Sequence, residues 1–259
     1  MKYKLFGLMM LFLVVALSAQ QESQTAFSAG VKYLKANKFV EAKKQFSIAI
    51  EKGATEQGLK MPYIYKGFSF NGLGKYDSAI FCFDKAIEID SIDLGSYTDR
   101  GKTYSYKKDY KKAAKDFLHV VSVDSTGKQA EAAYYYLGRI SMLQAQDEKA
   151  IKYFDKLLSI VPTDAEAYFL RGTAKSNILE FEGSITDYDL AIKYRPNYMK
   201  AFTNRAYSKI NLLTTGGNIF PSQEETKSAC EDFEKGMELG DQQYDLYDVH
   251  CTDLVKRVK

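Results

Sequence analysis

The side chains best suited to metal or nucleophile chemistry in this 259-residue chain are two histidines and three cysteines. A zinc site needs several His, Cys or carboxylate ligands at short, characteristic spacings, and neither His119 nor His250 sits among such ligands. Acidic residues are plentiful. Asp116, Asp187 and Glu231, however, recur just before aromatic residues of a periodic pattern, where solvated helix positions are expected. No Ser, Cys or Lys has a base partner in view, and no glycine-rich loop follows a strand. The sequence therefore reads as a non-enzyme, with no catalytic residue, no metal, no cofactor and no small-molecule substrate.

The N-terminus bears on compartment. Lys2 and Lys4 precede an apolar stretch from Leu5 to Leu17, which ends in the small residues Ala16, Ser18 and Ala19 before Gln20-Gln21-Glu22. A charged start, an apolar core too short to span a bilayer and small residues at its end are the requirements of a secretory signal peptide. Cleavage after Ser18 leaves the better small-x-small pattern; the reading adopted is cleavage after Ala19, with 1–19 removed. A membrane anchor is the less favoured alternative. The mature chain is expected to be exported, periplasmic or secreted, without membrane insertion. Loss of Lys2 and Lys4 takes the formal charge from +3 to +1. The basic pairs Lys43-Lys44, Lys107-Lys108 and Lys111-Lys112 alternate with acids, so a nucleic-acid partner is not expected.

The remaining chain is organised by a period. Gly30, Gly67, Gly101, Gly138, Gly172 and Ala206 are separated by 37, 34, 37, 34 and 34 residues. Twelve residues after the small residue stands Ala42, Ala79, Ala113, Ala150 or Ser184, and four further on an aromatic, Phe46, Phe83, Phe117, Phe154 or Tyr188. Physically, each unit is a pair of helices: small residues permit close approach and the aromatic fills the space beneath the next pair. The three extra residues in two of the gaps are expected in the loops between repeats. Stretches such as Tyr63-Ile64-Tyr65-Lys66-Gly67-Phe68-Ser69-Phe70 and Gly74-Lys75-Tyr76-Asp77-Ser78-Ala79-Ile80-Phe81-Cys82-Phe83 resemble tetratricopeptide repeats (TPRs).

That resemblance implies an all-α, right-handed α-solenoid of about six helix pairs, with repeats near 23–56, 60–93, 94–127, 131–164, 165–198 and 199–242. Ser141, Lys175 and Lys209 depart from the family pattern, which usually has a large apolar residue there. The sixth pair is interrupted by an inserted loop, 214–223, whose paired glycines and proline stop a helix, with Ser222 a candidate N-cap. Gly240 is expected to end the last repeat helix, and 243–259 to form a C-terminal capping helix presenting Tyr244, Tyr247, Cys251, Leu254 and Val258 on one face.

The resemblance also implies a concave groove lined by first helices that binds a polypeptide. The positions that carry it are Tyr65 and Phe68 (with Ile64) in repeat two, and Lys102 and Tyr106 (with Thr98 and Asp99) in three. Repeat four supplies Tyr135, Tyr136 and Arg139 (with Met142), repeat five Asn177 (with Phe169 and Thr173), and repeat six Asn204 and Tyr207 (with Thr203). Tyrosine buries area at small entropy cost, while amides and guanidinium satisfy a bound backbone; for any single tyrosine, filling space between helices is the favoured reading, but for the set Tyr65, Tyr106, Tyr135, Tyr136 and Tyr207 the groove is preferred. The expected function is a non-enzymatic interaction module or assembly scaffold in the cell envelope. The alternative is a structural subunit docked through its convex face and inserted loop.

Export also makes a disulfide chemically possible. Cys230 lies ten residues before Gly240 and Cys251 eleven after it, so an antiparallel hairpin would set them level and within bonding reach. A Cys230–Cys251 bridge is expected, with Cys82 left as a lone thiol. The competing arrangement is two small buried thiols at a tight helix contact.

Overall fold

The structure, a computed structural model, describes residues 2–53, 55–217, 221–242, 247, 250 and 251. Among these the chain forms twelve helices and no strand: α1 (Lys2–Lys35), α2 (Phe39–Glu51), α3 (Glu56–Gly72), α4 (Tyr76–Ile89), α5 (Leu94–Tyr106), α6 (Tyr110–Val123), α7 (Lys128–Leu143), α8 (Asp147–Ile160), α9 (Ala165–Asn177), α10 (Phe181–Tyr194), α11 (Met199–Thr215) and α12 (Gln223–Glu238). The fold is an all-α helical-repeat solenoid. It divides into two compact units, Met1–Ser125 and Thr126–Lys259. Within each, every helix packs on the next in sequence.

The first four repeats are built around the same contact. Phe46, Phe83, Phe117 and Phe154 are fully buried, as are the alanines four residues before them, Ala42, Ala79, Ala113 and Ala150. A Cβ added at Gly30, Gly67, Gly101 or Gly138 would sit 2.6–2.9 Å from the ring of its own repeat, which is why the first helix needs a residue without one. The first five pairs turn through one left-handed residue seven positions after the small one: Asn37, Gly74, Lys108, Ala145 and Leu179, with φ between 54° and 68°. In the sixth, the equivalent Leu213 is still helical and α11 runs on to Thr215. The insertion is therefore shorter as a loop than 214–223. Ser222 then starts α12 with a capping box closed by Glu225, and Gly240 ends it at φ 101°.

The three extra residues of the long intervals do not lie in loops, as the sequence was expected to place them. The connections 52–55, 90–93, 124–127, 161–164 and 195–198 are all alike in length, whereas α3 and α7 run 17 and 16 residues against 13 in α5 and α9. The extra residues add a turn to the start of a first helix. Thr55 caps that turn in α3, and Pro62 lies inside the helix, at its seventh residue.

Helix α1 joins the apolar leader to the first repeat without a break. Met9, Met10, Leu13, Val14, Val15 and Leu17 are exposed. Packing onto α2 begins later, where Glu22 pairs with Lys52 at 3.4 Å, the Ser23 hydroxyl donates to the Ala49 carbonyl at 2.7 Å and Ala26 is buried. No described helix is long and apolar enough to cross a membrane.

Of the expected capping helix only Tyr247, His250 and Cys251 are described; Tyr244, Leu254 and Val258 lie outside the described residues, as do Ile219 and Phe220 of the insertion. Tyr247 packs on Phe233, ring centres 6.3 Å apart. The Thr226 hydroxyl donates to the His250 carbonyl at 3.4 Å. Cys230 and Cys251 are joined as a disulfide with Cα atoms 5.5 Å apart. Cys82 is a free, buried thiol, pushed up to about 11 by that burial although Lys66 opposes the shift.

Candidate interaction surface

Polar chemistry in the structure is concentrated in two places, one internal and one exposed. The internal one was misread from sequence. Asp116 and Asp187 are not solvated: they are 4% and 1% exposed and hold arginines of the first helices. Arg100 donates to Asp116 from Nε at 2.8 Å and Nη2 at 2.7 Å, and its Nη1 reaches Asp84 of the preceding repeat at 2.6 Å. Arg171 repeats the arrangement on Asp187 (2.9 and 2.6 Å) and Asp155 (2.6 Å). Arg205 does so on Asp232 and Asp189, with Nε to Asp232 at 2.8 Å. Burial works to lower the Arg100 pKa, but the two carboxylates outweigh it and hold the guanidinium charged. In the sixth repeat the partner is Asp232; Glu231 is exposed.

Lys175 and Lys209, which depart from the family pattern, add a second cation to these carboxylates at 2.9 Å from Asp187 and 2.7 Å from Asp232. The signal was present in the sequence: an Arg directly before the small residue and an Asp on either side of the packing aromatic. The fourth repeat lacks it, with Leu137 and Tyr153 at the corresponding positions.

The first helices of Thr126–Lys259, α7, α9 and α11, lie side by side and carry most of the expected groove. Tyr135 and Tyr136 meet edge to face at 5.4 Å, and the exposed Arg139 lies 5.5 Å from the Tyr135 ring centre. Arg139 differs from the other described arginines: Arg100, Arg171, Arg195 and Arg205 each pair with a carboxylate, and Arg139 has none among the described residues. Asn177 donates to Asp147 at 3.0 Å. Asn204 and Thr173 share the Tyr188 hydroxyl, whose pKa burial raises against those hydrogen bonds. Tyr207 stands edge-on to Phe233 at 5.1 Å.

In Met1–Ser125 the expected groove residues are more occupied. Tyr65 contacts the rings of Phe27, Phe46 and Phe68 at 5.3–5.8 Å, and Phe68 contacts Phe83 at 5.6 Å, so both rings fill space between helices. Lys102 pairs with Asp99 at 3.2 Å, and Tyr106 is exposed beside Tyr76 at 6.0 Å. Ile64, Thr98, Phe169 and Thr203 are buried and do not line a groove, a correction to the sequence reading. The cause is packing between neighbouring repeats, as in the 4.8 Å contact of Phe169 with Tyr198.

Family models described as "Tetratricopeptide repeat" match residues 64–93, 94–126 and 131–164. The chain carries tetratricopeptide repeats. Among curated proteins it is similar to "DnaJ homolog subfamily C member 7" of Mus musculus, 24% identical over 176 residues, which is 63% of this chain and 33% of that protein. The chain spans a third or less of the curated relatives it matches. Among solved structures, Pseudomonas aeruginosa pilF aligns with a TM-score of 0.68 at 16% identity, covering 90% of this chain and 99% of that one. YrrB, whose structure is described as that of "a TPR protein with an unusual peptide-binding site", aligns with a TM-score of 0.59 at 22% identity, covering 80% and 96%. At these identities the likeness shows the TPR fold alone.

Proposed function

We propose that this chain is a non-catalytic scaffold that binds a polypeptide segment along α7, α9 and α11. The observation that carries the reading is the Tyr135–Tyr136–Arg139 cluster. Two half-buried rings adjoin an exposed guanidinium that has no carboxylate partner among the described residues. Aromatic rings and arginine supply most of the energy at protein interfaces, and a guanidinium not already paired can donate to backbone carbonyls or an acidic side chain. Partner capture from an envelope extract by Tyr135→Ala with Arg139→Ala is expected to fall at least ten-fold, while the helical circular-dichroism signal persists and the melting temperature falls by no more than about 4 °C, Tyr135 being half-buried and Arg139 exposed. Undiminished capture would refute the assignment, and a collapse in melting temperature would show that these residues pack.

The same proposal places the mature protein outside the inner membrane. Its support is that Met9, Met10, Leu13, Val14, Val15 and Leu17 are exposed, and that the first described side-chain contacts of α1 with α2 are those of Glu22 and Ser23. Removal of 1–19 is expected to leave the melting temperature unchanged. Mass spectrometry of protein from its producing cell should find Gln20 first; an intact Met1 would argue for retention of the leader.

A further inference from the structure

The turns that join the two helices of each repeat carry opposite chemistry in the two units. Consecutive helices pack on each other across short connections and run antiparallel, which gathers these turns in a row at one end of the pairs within each unit. In Met1–Ser125, Tyr76 of the second turn meets Tyr106 of the third at 6.0 Å, and Lys107 pairs with Asp77. In Thr126–Lys259, Asn177 of the fifth turn donates to Asp147 of the fourth at 3.0 Å. The rows are compared over the same stretch of each repeat, from two residues before the left-handed one, or its equivalent Leu213, to four after it. Residues 35–41, 72–78 and 106–112 of the first unit hold seven lysines and three acids. Residues 143–149, 177–183 and 211–217 of the second hold four acids and one lysine. Asp147 is turned inward to Asn177, and Glu148, Glu180 and Glu182 are exposed.

The acidic row is also apolar where it meets water: Leu143, Leu179 and Leu212 are 62%, 69% and 36% exposed. Leu179 incurs two costs at once. Its bulky side chain stands in solvent, and its backbone is left-handed at φ 64°, a conformation that suits the glycine found at the same place in the second repeat, Gly74 at φ 68°. Strain kept at an exposed apolar residue points to a use at the surface. The two rows have matching relief as well. Beside Leu179 an open cavity of about 300 Å³ lies between Glu180, Phe181 and Leu212. Its counterpart beside Gly74, of about 290 Å³, lies between Lys75, Tyr76 and Lys107. Leucine and acid stand in one where glycine and cation stand in the other, and a Cβ added at Gly74 would meet nothing within 4 Å.

We propose that the turn row of Thr126–Lys259 docks on the turn row of Met1–Ser125 of a second copy of this chain. Leu179 seats over Gly74, and Glu180 and Glu182 face Lys75 and Lys108. Charge complementarity selects this occupant: each row repels its own kind and attracts the other, and both are carried by every copy. Because two different surfaces meet, the contact is heterologous and can add copies one after another.

The test uses the full chain as isolated from its producing cell. Sedimentation velocity from about 1 to 100 μM is expected to show dimers and larger species that grow with concentration and dissociate as salt rises from about 50 to 500 mM. Leu179→Gly suits the left-handed turn, so its melting temperature should hold or rise, while self-association weakens about ten-fold or more with the loss of a buried leucine. Glu180→Lys with Glu182→Lys, and Lys75→Glu with Lys108→Glu, should each be monomeric alone and associate when mixed, since the two reversals restore opposite charges across the contact. Leu179→Gly placed in both members should weaken the mixture too, which attraction between bulk charges would not show. Circular dichroism reports that each variant is folded, and Leu179→Gly carries the test if a charge variant is not. A chain that stays monomeric at about 100 μM and low salt would overturn the proposal. So would association indifferent to both charge reversals, as contact through the exposed leader would be, or undiminished association of Leu179→Gly. A monomer whose Leu179→Gly form loses capture of another protein would overturn it in favour of that occupant.

Discussion

Replacing Arg100 with alanine is expected to destabilise the chain by about 3–5 kcal/mol, the typical cost of removing one partner of a buried ion pair. The reason is what it leaves behind. Asp116 is 4% exposed and takes two of the three hydrogen bonds of the guanidinium, so its charge would remain in the interior with neither water nor cation. Asp84 would suffer less, being partly exposed and able to hydrate. Urea unfolding followed at 222 nm measures the effect; a loss below about 1 kcal/mol, the usual worth of a surface pair, would mean that water reaches Asp116. The chain also carries an apolar solution to the same problem, Leu137 with Tyr153 in the fourth repeat. The double substitution R100L/D116Y, which copies it, is expected to recover most of the lost stability, because removing both charges avoids the unpaired carboxylate.

Phe154→Ala should cost about 3–5 kcal/mol, as truncation of a fully buried aromatic leaves a cavity that the neighbouring helices close only in part. The opposite error at the same contact, Gly138→Val, is expected to cost about 1–3 kcal/mol, since the new Cβ would lie 2.6 Å from a Phe154 ring with no free space to move into. Together the two substitutions should destabilise by less than the sum of the separate losses, because the smaller residue at 154 makes room for the larger one at 138. Strict additivity in chemical denaturation would show that glycine is required at 138 for some reason other than the ring.

The helix pairs, their small-aromatic contacts and the caps at Ser222 and Gly240 were legible because each depends on residues close in sequence or fixed by the period. What failed to show was context between repeats. Asp116 and Asp187 looked like surface acids because their own neighbours do not show the clamp; within the repeat its mark is the arginine 16 residues earlier, and only the structure adds the second carboxylate from the preceding repeat. The extra residues before Gly67 and Gly138 looked like loop because a period fixes the distance between landmarks and not where a helix begins. The expected groove separated along similar lines. Arg139 remains on the surface beside a half-buried Tyr135, whereas Tyr65 and Phe68 are drawn into a chain of rings with Phe27, Phe46 and Phe83. No count of tyrosines distinguishes those outcomes without the neighbouring helix.

The arginine bridges have a consequence for how the array comes apart. A solenoid whose repeats touched only through apolar faces could fray pair by pair, each end melting at its own modest cost. Arg100 ties the second repeat to the third, and Arg171 and Arg205 tie the fourth to the fifth and the fifth to the sixth, so opening between two repeats breaks an ion pair with a partly exposed carboxylate while the buried carboxylate keeps its arginine within the repeat. Each guanidinium thus adds a coupling of up to about 1 kcal/mol between adjacent repeats, which favours their opening together. Amide hydrogen exchange would then protect the array in blocks, with α3–α6 and α7–α12 each exchanging through shared openings instead of a smooth gradient from the ends.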